Sequence, residues 1–370
     1  MRNFIALIIV ILITQTPHFG IERNSMPRAS LRVNYSEQGG GFELPLNGAT
    51  GWAAIEMPLR NSPMQSADVV LRLAAGQGFT IIEEYGDWWN VLIGGNDGIS
   101  GWVLHRECFI NLPDIIPSLV FDITNAYSSM KRSSGYAIPN ITGYALYNAR
   151  AFNYRLNRCE FIVPILYSTS RRIFEAQQAA LADGNTIIIY EAFRPRAVQQ
   201  SVVRNLRRLM DSSARVRNAI NATPWDLNWF ISTGISNHQR GVAVDVGLGR
   251  IVSCEMRTTG VFVYTHITDF ERHAMPTQMH ELSPLAATFT RPVSSVSPYA
   301  WRTAAFASTM TEGAILLQNY LTGAGFTPLA SEWWHANDLE GREIAINAGI
   351  TGDFFTETIY SRVPRLSHRR

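Results

Sequence analysis

This sequence of 370 residues contains very little lysine and has a small net charge. Lys131 is the one lysine among 32 basic residues, which 30 acidic residues balance to a formal net charge of +2. So small a charge excludes the strong overall field that draws basic proteins to nucleic acid, and we expect no nucleic-acid partner. Hydrophobic residues make up 46% of the chain and charged residues 17%. This balance excludes an intrinsically disordered protein.

Cysteine is also rare. Cys108, Cys159 and Cys254 are too few and too widely spaced for a disulfide framework or a cysteine zinc site. One pair can bridge in an oxidising compartment, and the spacing leaves open which pair that is. No cysteine precedes Cys108, which excludes lipid attachment close to the N terminus.

The apolar run near the N terminus is too short for a stable membrane span. It covers residues 4–13, follows Arg2 and ends before Pro17, whereas a span needs about 20 apolar residues. A basic start, a compact apolar core and a polar exit are typical of a secretory signal peptide. We therefore expect residues 1–20 to be a signal and the protein to be exported to the periplasm, the cell envelope or the medium. The alternative is that the run stays uncleaved and anchors the protein in the membrane, because no clear cleavage site follows it.

The next part of the chain predicts a small β domain. Residues 21–44 are polar and glycine-containing, which indicates a flexible linker. Residues 45–112 then alternate short apolar runs with glycine turns, a pattern typical of a small antiparallel barrel. The predicted strands are residues 69–71, 79–82, 89–92 and 102–104. A second linker, with two prolines, is predicted at residues 111–117.

The remainder, residues 118–360, mixes helical and strand patterns without a regular repeat, which favours an α+β domain. The predicted helices are residues 171–181, 197–210 and 311–321, and the predicted strands are residues 186–190 and 241–248. Residues 361–370 form a basic tail.

Four features of the first domain occur in an order typical of a known module. They are residues 59–63, Gly76, residues 87–91 and the closing residues 101–103. In these features the segment resembles the bacterial SH3-like domains of cell-wall enzymes, which implies binding to peptidoglycan or its stem peptides. A simpler interpretation is that the tryptophans are barrel core and the module is a spacer.

Residues suited to metal chemistry occur in three short segments of the second domain. His238 and Asp245 stand seven residues apart, and His335 follows Glu332 by three. Two histidines and one aspartate leave the fourth position of zinc open for water, as catalytic sites require. Bound zinc lowers the pKa of that water and so makes a nucleophile. Glu332 is then suited to be the general base, and Arg194 to stabilise a developing oxyanion.

The same segments carry a family resemblance. The pattern Ser-x-His-x-x-Gly-x-Ala-x-Asp occurs at residues 236–245, Glu-x-Trp-His at 332–335 and Arg-Pro at 194–195. Upstream matches lie at Tyr136-Ala137, Asn140 and Thr142-Gly143-Tyr144, and downstream matches at residues 275–277 and 282–284. Together they resemble the D-alanyl-D-alanine dipeptidases and related zinc D,D-carboxypeptidases, which share the Hedgehog-like α+β fold.

The resemblance implies a role for each matching residue. His238, Asp245 and His335 would bind one Zn²⁺ ion, and Glu332 would be the general base and acid. Arg194 would stabilise the transition state. Ser236 would help to hold the substrate.

One family feature is replaced. The dipeptidases carry a Phe-Asp pair whose aspartate binds the substrate amine, and here that place reads Met279-His280, followed by Glu281. We therefore assign His280 and Glu281 to substrate binding in its stead. Extra residues at 258–270 and 285–300 predict substrate-binding loops or lids.

The sequence thus predicts a zinc metallopeptidase. Its expected substrates are the D-Ala-D-Ala dipeptide or D-Ala-containing peptidoglycan stem peptides, and its expected wall contact is the SH3-like domain. The alternative is a non-catalytic peptidoglycan-binding protein on a retained peptidase fold. A zinc-independent hydrolase based on Ser236 and His238 lacks a third orienting residue and an oxyanion motif.

Overall fold

A computed structural model describes residues 41–94, 98–122, 131–139 and 150–365. The predicted signal peptide, residues 21–40 of the predicted linker, and the matches at Asn140 and residues 142–144 lie outside these ranges. Within the ranges, no helix combines the length and apolarity needed to cross a membrane.

Short strands dominate the first half of the chain and longer elements the second. The strands are β1 (Thr50–Ala53), β2 (Met57–Arg60), β3 (Val69–Leu73), β4 (Gly78–Tyr85), β5 (Trp88–Ile93), β6 (Ile99–Leu104), β7 (Cys108–Asn111), β8 (Val120–Phe121), β9 (Arg132–Ser133), β10 (Tyr136–Ala137), β11 (Ala151–Asn153), β12 (Arg158–Glu160), β13 (Pro164–Leu166), β14 (Asn185–Glu191), β15 (Ala243–Thr259), β16 (Phe262–Arg272), β17 (Thr327–Leu329) and β18 (Glu332–Asn337). The helices are α1 (Leu112–Ile115), α2 (Tyr167–Ala182), α3 (Arg196–Ser212), α4 (Ala214–Ile220), α5 (Leu227–Phe230), α6 (Glu312–Gly323) and α7 (Leu339–Asn347).

The first sheet is antiparallel and has the order β13-β7-β1-β4-β5-β6-β2-β3. The four predicted strands fall within β3, β4, β5 and β6 and are confirmed. Trp89 and Phe79 are fully buried in the core, as expected for large aromatic rings in a small sheet. Trp88 and Trp102 are half-buried.

This sheet does not end with the first domain, because β13 of the second part pairs with β7. The intervening segment, predicted as a linker at residues 111–117, is buried and includes α1. Asp114 fixes it by accepting hydrogen bonds from Thr50 N (2.8 Å) and Asn153 Nδ2 (2.7 Å). The linker prediction was wrong because a proline in a first helical turn is compatible with a packed helix.

The end of the other predicted linker, residues 21–44, also needs correction. Phe42, Glu43 and Leu44 are buried. Glu43 accepts hydrogen bonds from Ser118 N (2.9 Å) and Gln178 Nε2 (2.8 Å). This segment is therefore part of the folded core.

The second sheet has the order β17-β18-β15-β14-β8, and β16 pairs with the far end of β15. Only β8 and β14 are parallel among these pairs. Helices α2 and α6 pack against each other, α2 against β14 and α6 against β15. The three predicted helices and the strand at 186–190 are confirmed within a few residues at each end, and the α+β class holds at this level. The strand predicted at 241–248 begins within two residues of β15, but β15 continues to Thr259, well beyond the predicted end.

The extra residues at 258–270 are not a loop over the site. They form the tip of the β15–β16 hairpin, which turns at Gly260. Phe262 and Tyr264 of this hairpin pack against Leu44 and Leu156, so the insertion extends the core.

Candidate metal centre

Adjacent strands place acidic and imidazole side chains in register. His335 of β18 lies opposite Asp245 of β15, and Asp245 lies opposite Glu191 of β14. Residues directly opposite on neighbouring strands project on one face at short range. Two sequence segments 90 residues apart are thereby joined at one point.

His238 reaches the same point from a 3₁₀ turn, His238–Arg240, which precedes β15. Gly241 closes the turn with φ of +66°, a conformation that glycine adopts without steric cost. A Cβ atom there would lie 2.8 Å from the Phe109 ring and 2.9 Å from Leu166 N. Phe109 and Leu166 belong to β7 and β13, so the first sheet supports the turn that carries His238.

Three ligand atoms of His238, Asp245 and His335 converge. His238 Nε2 lies 3.1 Å from His335 Nδ1, and Asp245 Oδ1 lies 2.9 Å from His335 Nδ1 and 3.3 Å from His238 Nε2. Ligands about 2.0–2.1 Å from a tetrahedral ion are roughly 3.3 Å apart. All three side chains are buried, and the set fits a small divalent cation.

The outward nitrogens of the two imidazoles fix their tautomers. His238 Nδ1 lies 2.7 Å from the carbonyl oxygen of Ala192, and His335 Nε2 lies 2.9 Å from Asn337 Oδ1. Both oxygens accept hydrogen bonds, so in a neutral imidazole each outward nitrogen carries the proton and each inward nitrogen presents a lone pair. Two lone pairs 3.1 Å apart beside a carboxylate repel each other, and either a bound cation or a proton on one imidazole removes this repulsion. The chemistry of the donor set therefore fits a metal ion.

His280 contacts the other side of the Asp245 carboxylate. Its Nε2 lies 2.9 Å from Asp245 Oδ2, and the side chain is 0% exposed. No face of the ring is left for a substrate amine, so the substrate contact predicted for His280 does not fit this placement. The ring instead fixes the orientation of the Asp245 carboxylate.

Glu281 is likewise turned away from the position predicted for it. Its carboxylate accepts hydrogen bonds from the backbone N–H groups of Ser134 and Gly135. These residues form the turn between β9 and β10. Glu281 therefore anchors a hairpin, and it does not line the cavity beside His238 and His335.

Glu191, Asp245 and His280 form a second group with metal-ligand spacing. Arg194 already donates to both carboxylate oxygens of Glu191, from Nε to Oε1 (2.7 Å) and from Nη2 to Oε2 (2.5 Å). Lys131 Nζ lies 3.8 Å from Glu191 Oε2. Burial acts to raise the pKa of Glu191, but Arg194 and Lys131 outweigh it and hold the pKa at about 2. Since two cations neutralise this carboxylate, the group is an ion-pair network.

A cavity of about 340 Å³ opens beside the three converging ligands. Glu332, Arg194 and Ser236 line it, as do Ser295 and Val296 of the second predicted insertion. Glu332 Oε2 lies 3.9 Å from His335 Nδ1. Burial raises the pKa of Glu332 to about 7. The predicted catalytic residues Glu332 and Arg194 thus line one cavity with His238 and His335, and Asp245 lies behind these two imidazoles.

Sequence reasoning did not identify four residues of this site: Lys131, Glu191, Gln199 and Asn337. Asn337 follows His335 by two positions on one strand, a spacing that places both side chains on one face. Glu191 precedes Arg194 by three residues, which is a weak signal. No sequence signal marks Lys131 or Gln199, because their contacts with the site depend on the fold.

Comparison with known proteins identifies one module. Residues 56–107 match the family model of the bacterial SH3 domain, and they span β2 to β6. No curated protein matches the chain. Residues 56–107 are therefore a bacterial SH3 domain, as their resemblance predicted, and such a domain is consistent with binding to the cell wall.

Proposed function

We propose that this protein is an exported zinc peptidase of the cell envelope that hydrolyses D-Ala-D-Ala or D-Ala-containing peptidoglycan stem peptides. The observation that carries the proposal is the convergence of two imidazole nitrogens and one carboxylate oxygen on one point. His238, His335 and Asp245 supply them. Three such ligands leave one coordination position open, as catalytic zinc requires.

Glu332 is the general base and acid in this proposal. A zinc ion held by the three ligands would act as a Lewis acid and would lower the pKa of a coordinated water. Glu332 lines the cavity near His335, where it takes one proton from the attacking water. The water oxygen bonds to the peptide carbonyl carbon, the C–N bond breaks, and the proton passes from Glu332 to the leaving amine.

Arg194 and Ser236 assist at the cavity wall. Glu191 and Gln199 hold the Arg194 guanidinium on several sides, so the cation is fixed in place before substrate binds. Such a fixed charge stabilises an oxyanion without reorganisation. Ser236 lines the cavity, and its Oγ accepts a hydrogen bond from His238 N (3.3 Å), which leaves the hydroxyl proton available for a substrate acceptor.

The SH3 domain supports a wall-linked role and also a second candidate function. A bacterial SH3 domain at residues 56–107 favours a polymeric substrate over a free dipeptide. The same domain would serve a non-catalytic wall-binding protein. These two candidates differ in whether peptide bonds are broken.

The deciding experiment measures amine release by the full chain from D-Ala-D-Ala and from a peptidoglycan pentapeptide, with zinc and with a chelator. We expect chelator-sensitive release from at least one substrate. Glu332→Gln should abolish release while retaining bound zinc, and Glu175→Gln, an exposed carboxylate on α2, should not. Zinc binding without hydrolysis of either substrate or of cross-linked wall would favour the non-catalytic candidate.

A further inference from the structure

The single lysine of the chain lies in the wall of the candidate site. Lys131 is 6% exposed and lines the same cavity as Glu332 and His335. Every other basic side chain among the 32 is arginine. An ammonium differs from a guanidinium because it is a compact point charge with rotatable donors.

The backbone around Lys131 is held firmly. Arg132 N donates to His280 O (3.1 Å), and Leu282 N donates to Arg132 O (2.8 Å). Ser133 Oγ donates to Leu282 O (2.8 Å). With the Glu281 contacts to the adjacent turn, these bonds fix the hairpin that carries Lys131 against the segment that carries His280.

Three cations, Lys131, Arg194 and Arg342, line the cavity. Arg342 pairs with the exposed Glu343 (3.0 Å). The other two both pair with Glu191, but they differ in how tightly they are bound to it. Arg194 donates to both carboxylate oxygens of Glu191 and to Gln199. Lys131 Nζ lies 3.8 Å from Glu191 Oε2, which is an ion-pair distance but longer than a hydrogen bond. Lys131 is therefore the cation better able to turn toward a ligand in the cavity.

The charge balance of the site favours an anionic ligand. Arg194 and Lys131 match the charges of Glu191 and Asp245. A bound divalent cation then leaves a net positive charge even when Glu332 is ionised. Among the described residues that line the cavity, Glu332 is the only carboxylate, so a free substrate amine finds no dedicated partner there.

We propose that Lys131 binds the C-terminal carboxylate of the substrate and so selects peptides with a free C terminus and a blocked N terminus. This inference rests on the proposed function and specifies its substrate class. Buried charge-assisted hydrogen bonds of this kind contribute to both affinity and orientation.

The first test compares N-acetyl-D-Ala-D-Ala with its C-terminal amide on the zinc-loaded full chain. Lys131→Met should lower kcat/KM for the acid by roughly 10- to 100-fold and leave the value for the amide within about threefold. The matched control is Arg132→Met, which removes a neighbouring cation whose side chain contacts Gln278. An equal loss on acid and amide would overturn the proposal, as would no loss on the acid. Zinc content and the unfolding temperature show whether each variant is folded.

The second test needs no variant and no turnover. Because Lys131 is the only lysine, carbamylation by cyanate can be followed at one side chain by mass spectrometry. We expect N-acetyl-D-alanine to protect Lys131 and N-acetyl-D-alaninamide to give no protection. Equal protection by both would overturn the carboxylate contact.

The two tests separate this inference from the proposed function. If the wild type cleaves no peptide but N-acetyl-D-alanine alone protects Lys131, the anion site stands and the peptidase proposal fails. If the wild type cleaves acid and amide at equal rates, the peptidase proposal stands and the role of Lys131 fails.

Discussion

His280 Nε2 lies 2.9 Å from Asp245 Oδ2, while Asp245 Oδ1 faces the two imidazoles of the candidate metal centre. One oxygen of the Asp245 carboxylate thus faces the candidate metal position. The other oxygen contacts His280, which holds the carboxylate in its orientation. His280 adopts φ of +60°, an uncommon conformation for a residue other than glycine, and its Nδ1 is buried without a hydrogen-bond partner among the described residues. The ring contacts Asp245 through Nε2 and packs edge-on against Trp334, with 5.8 Å between the ring centroids.

Replacing His280 should weaken metal binding. His280→Ala removes the group that orients Asp245, and loss of such a support commonly costs roughly 10- to 100-fold in metal affinity. Competition with a chromogenic chelator measures the change. His266→Ala, on the β15–β16 hairpin away from the centre, is the control. Unchanged zinc affinity in His280→Ala would show that Asp245 needs no such support.

Zinc should stabilise the folded chain. A ligand that binds only the folded state at 100 times its Kd adds about 2.7 kcal/mol to the free energy of unfolding. Thermal unfolding with and without zinc measures this gain, and His335→Ala should remove it. Magnesium should give none, because it prefers oxygen ligands to imidazole. A rise in unfolding temperature that survives His335→Ala would place the bound ion elsewhere.

Gly241→Ala should destabilise both the fold and the metal centre. The substitution places a Cβ at positive φ and within 2.9 Å of the Phe109 ring and of Leu166 N, which should cost about 2 kcal/mol or more. Gly184→Ala is a matched control, because φ is +76° there and no atom lies within 4 Å of the new Cβ. Urea unfolding compares the two variants. Equal losses would show that the first sheet does not constrain the turn carrying His238.

Stability should depend on the protonation of Glu43. Burial raises the pKa of Glu43 from 4.5 to about 7, so the folded state binds the proton more tightly than the unfolded state. The resulting stabilisation is complete below about pH 4.5 and is lost as the pH rises through about 7, with a total change on the order of 3 kcal/mol.

Glu43→Gln should flatten this pH dependence, because the variant side chain does not titrate. The measurement is the free energy of unfolding of both proteins at several pH values between about 4 and 8. Glu175→Gln, an exposed residue on α2, should leave the wild-type slope. A slope that Glu43→Gln does not alter would mean that Glu43 is already ionised in the folded protein at low pH.

Local sequence patterns determined much of the second sheet and its helices. Helix α3 shows apolar residues at helical spacing, and β14 contains the apolar run 187–190, so the sequence predicts both to within two residues at each end. The spacing of His238, Asp245, Glu332 and His335 likewise indicates a ligand set and a base. Each of these patterns, including the motifs at residues 236–245 and 332–335, lies within one short segment and so needs no tertiary information. Joining those two motifs at one point depends on the pairing of β15 with β18.

The tertiary structure alone decided the remaining relationships. Lys131, Glu191 and His280 are distant in sequence, and their contacts arise only when the β9–β10 hairpin docks against the segment before Ser283. The pairing of β13 with β7, which joins the two predicted domains in one sheet, has the same origin. Backbone hydrogen bonds between distant strands carry no residue-specific pattern, so no single segment of the sequence records them.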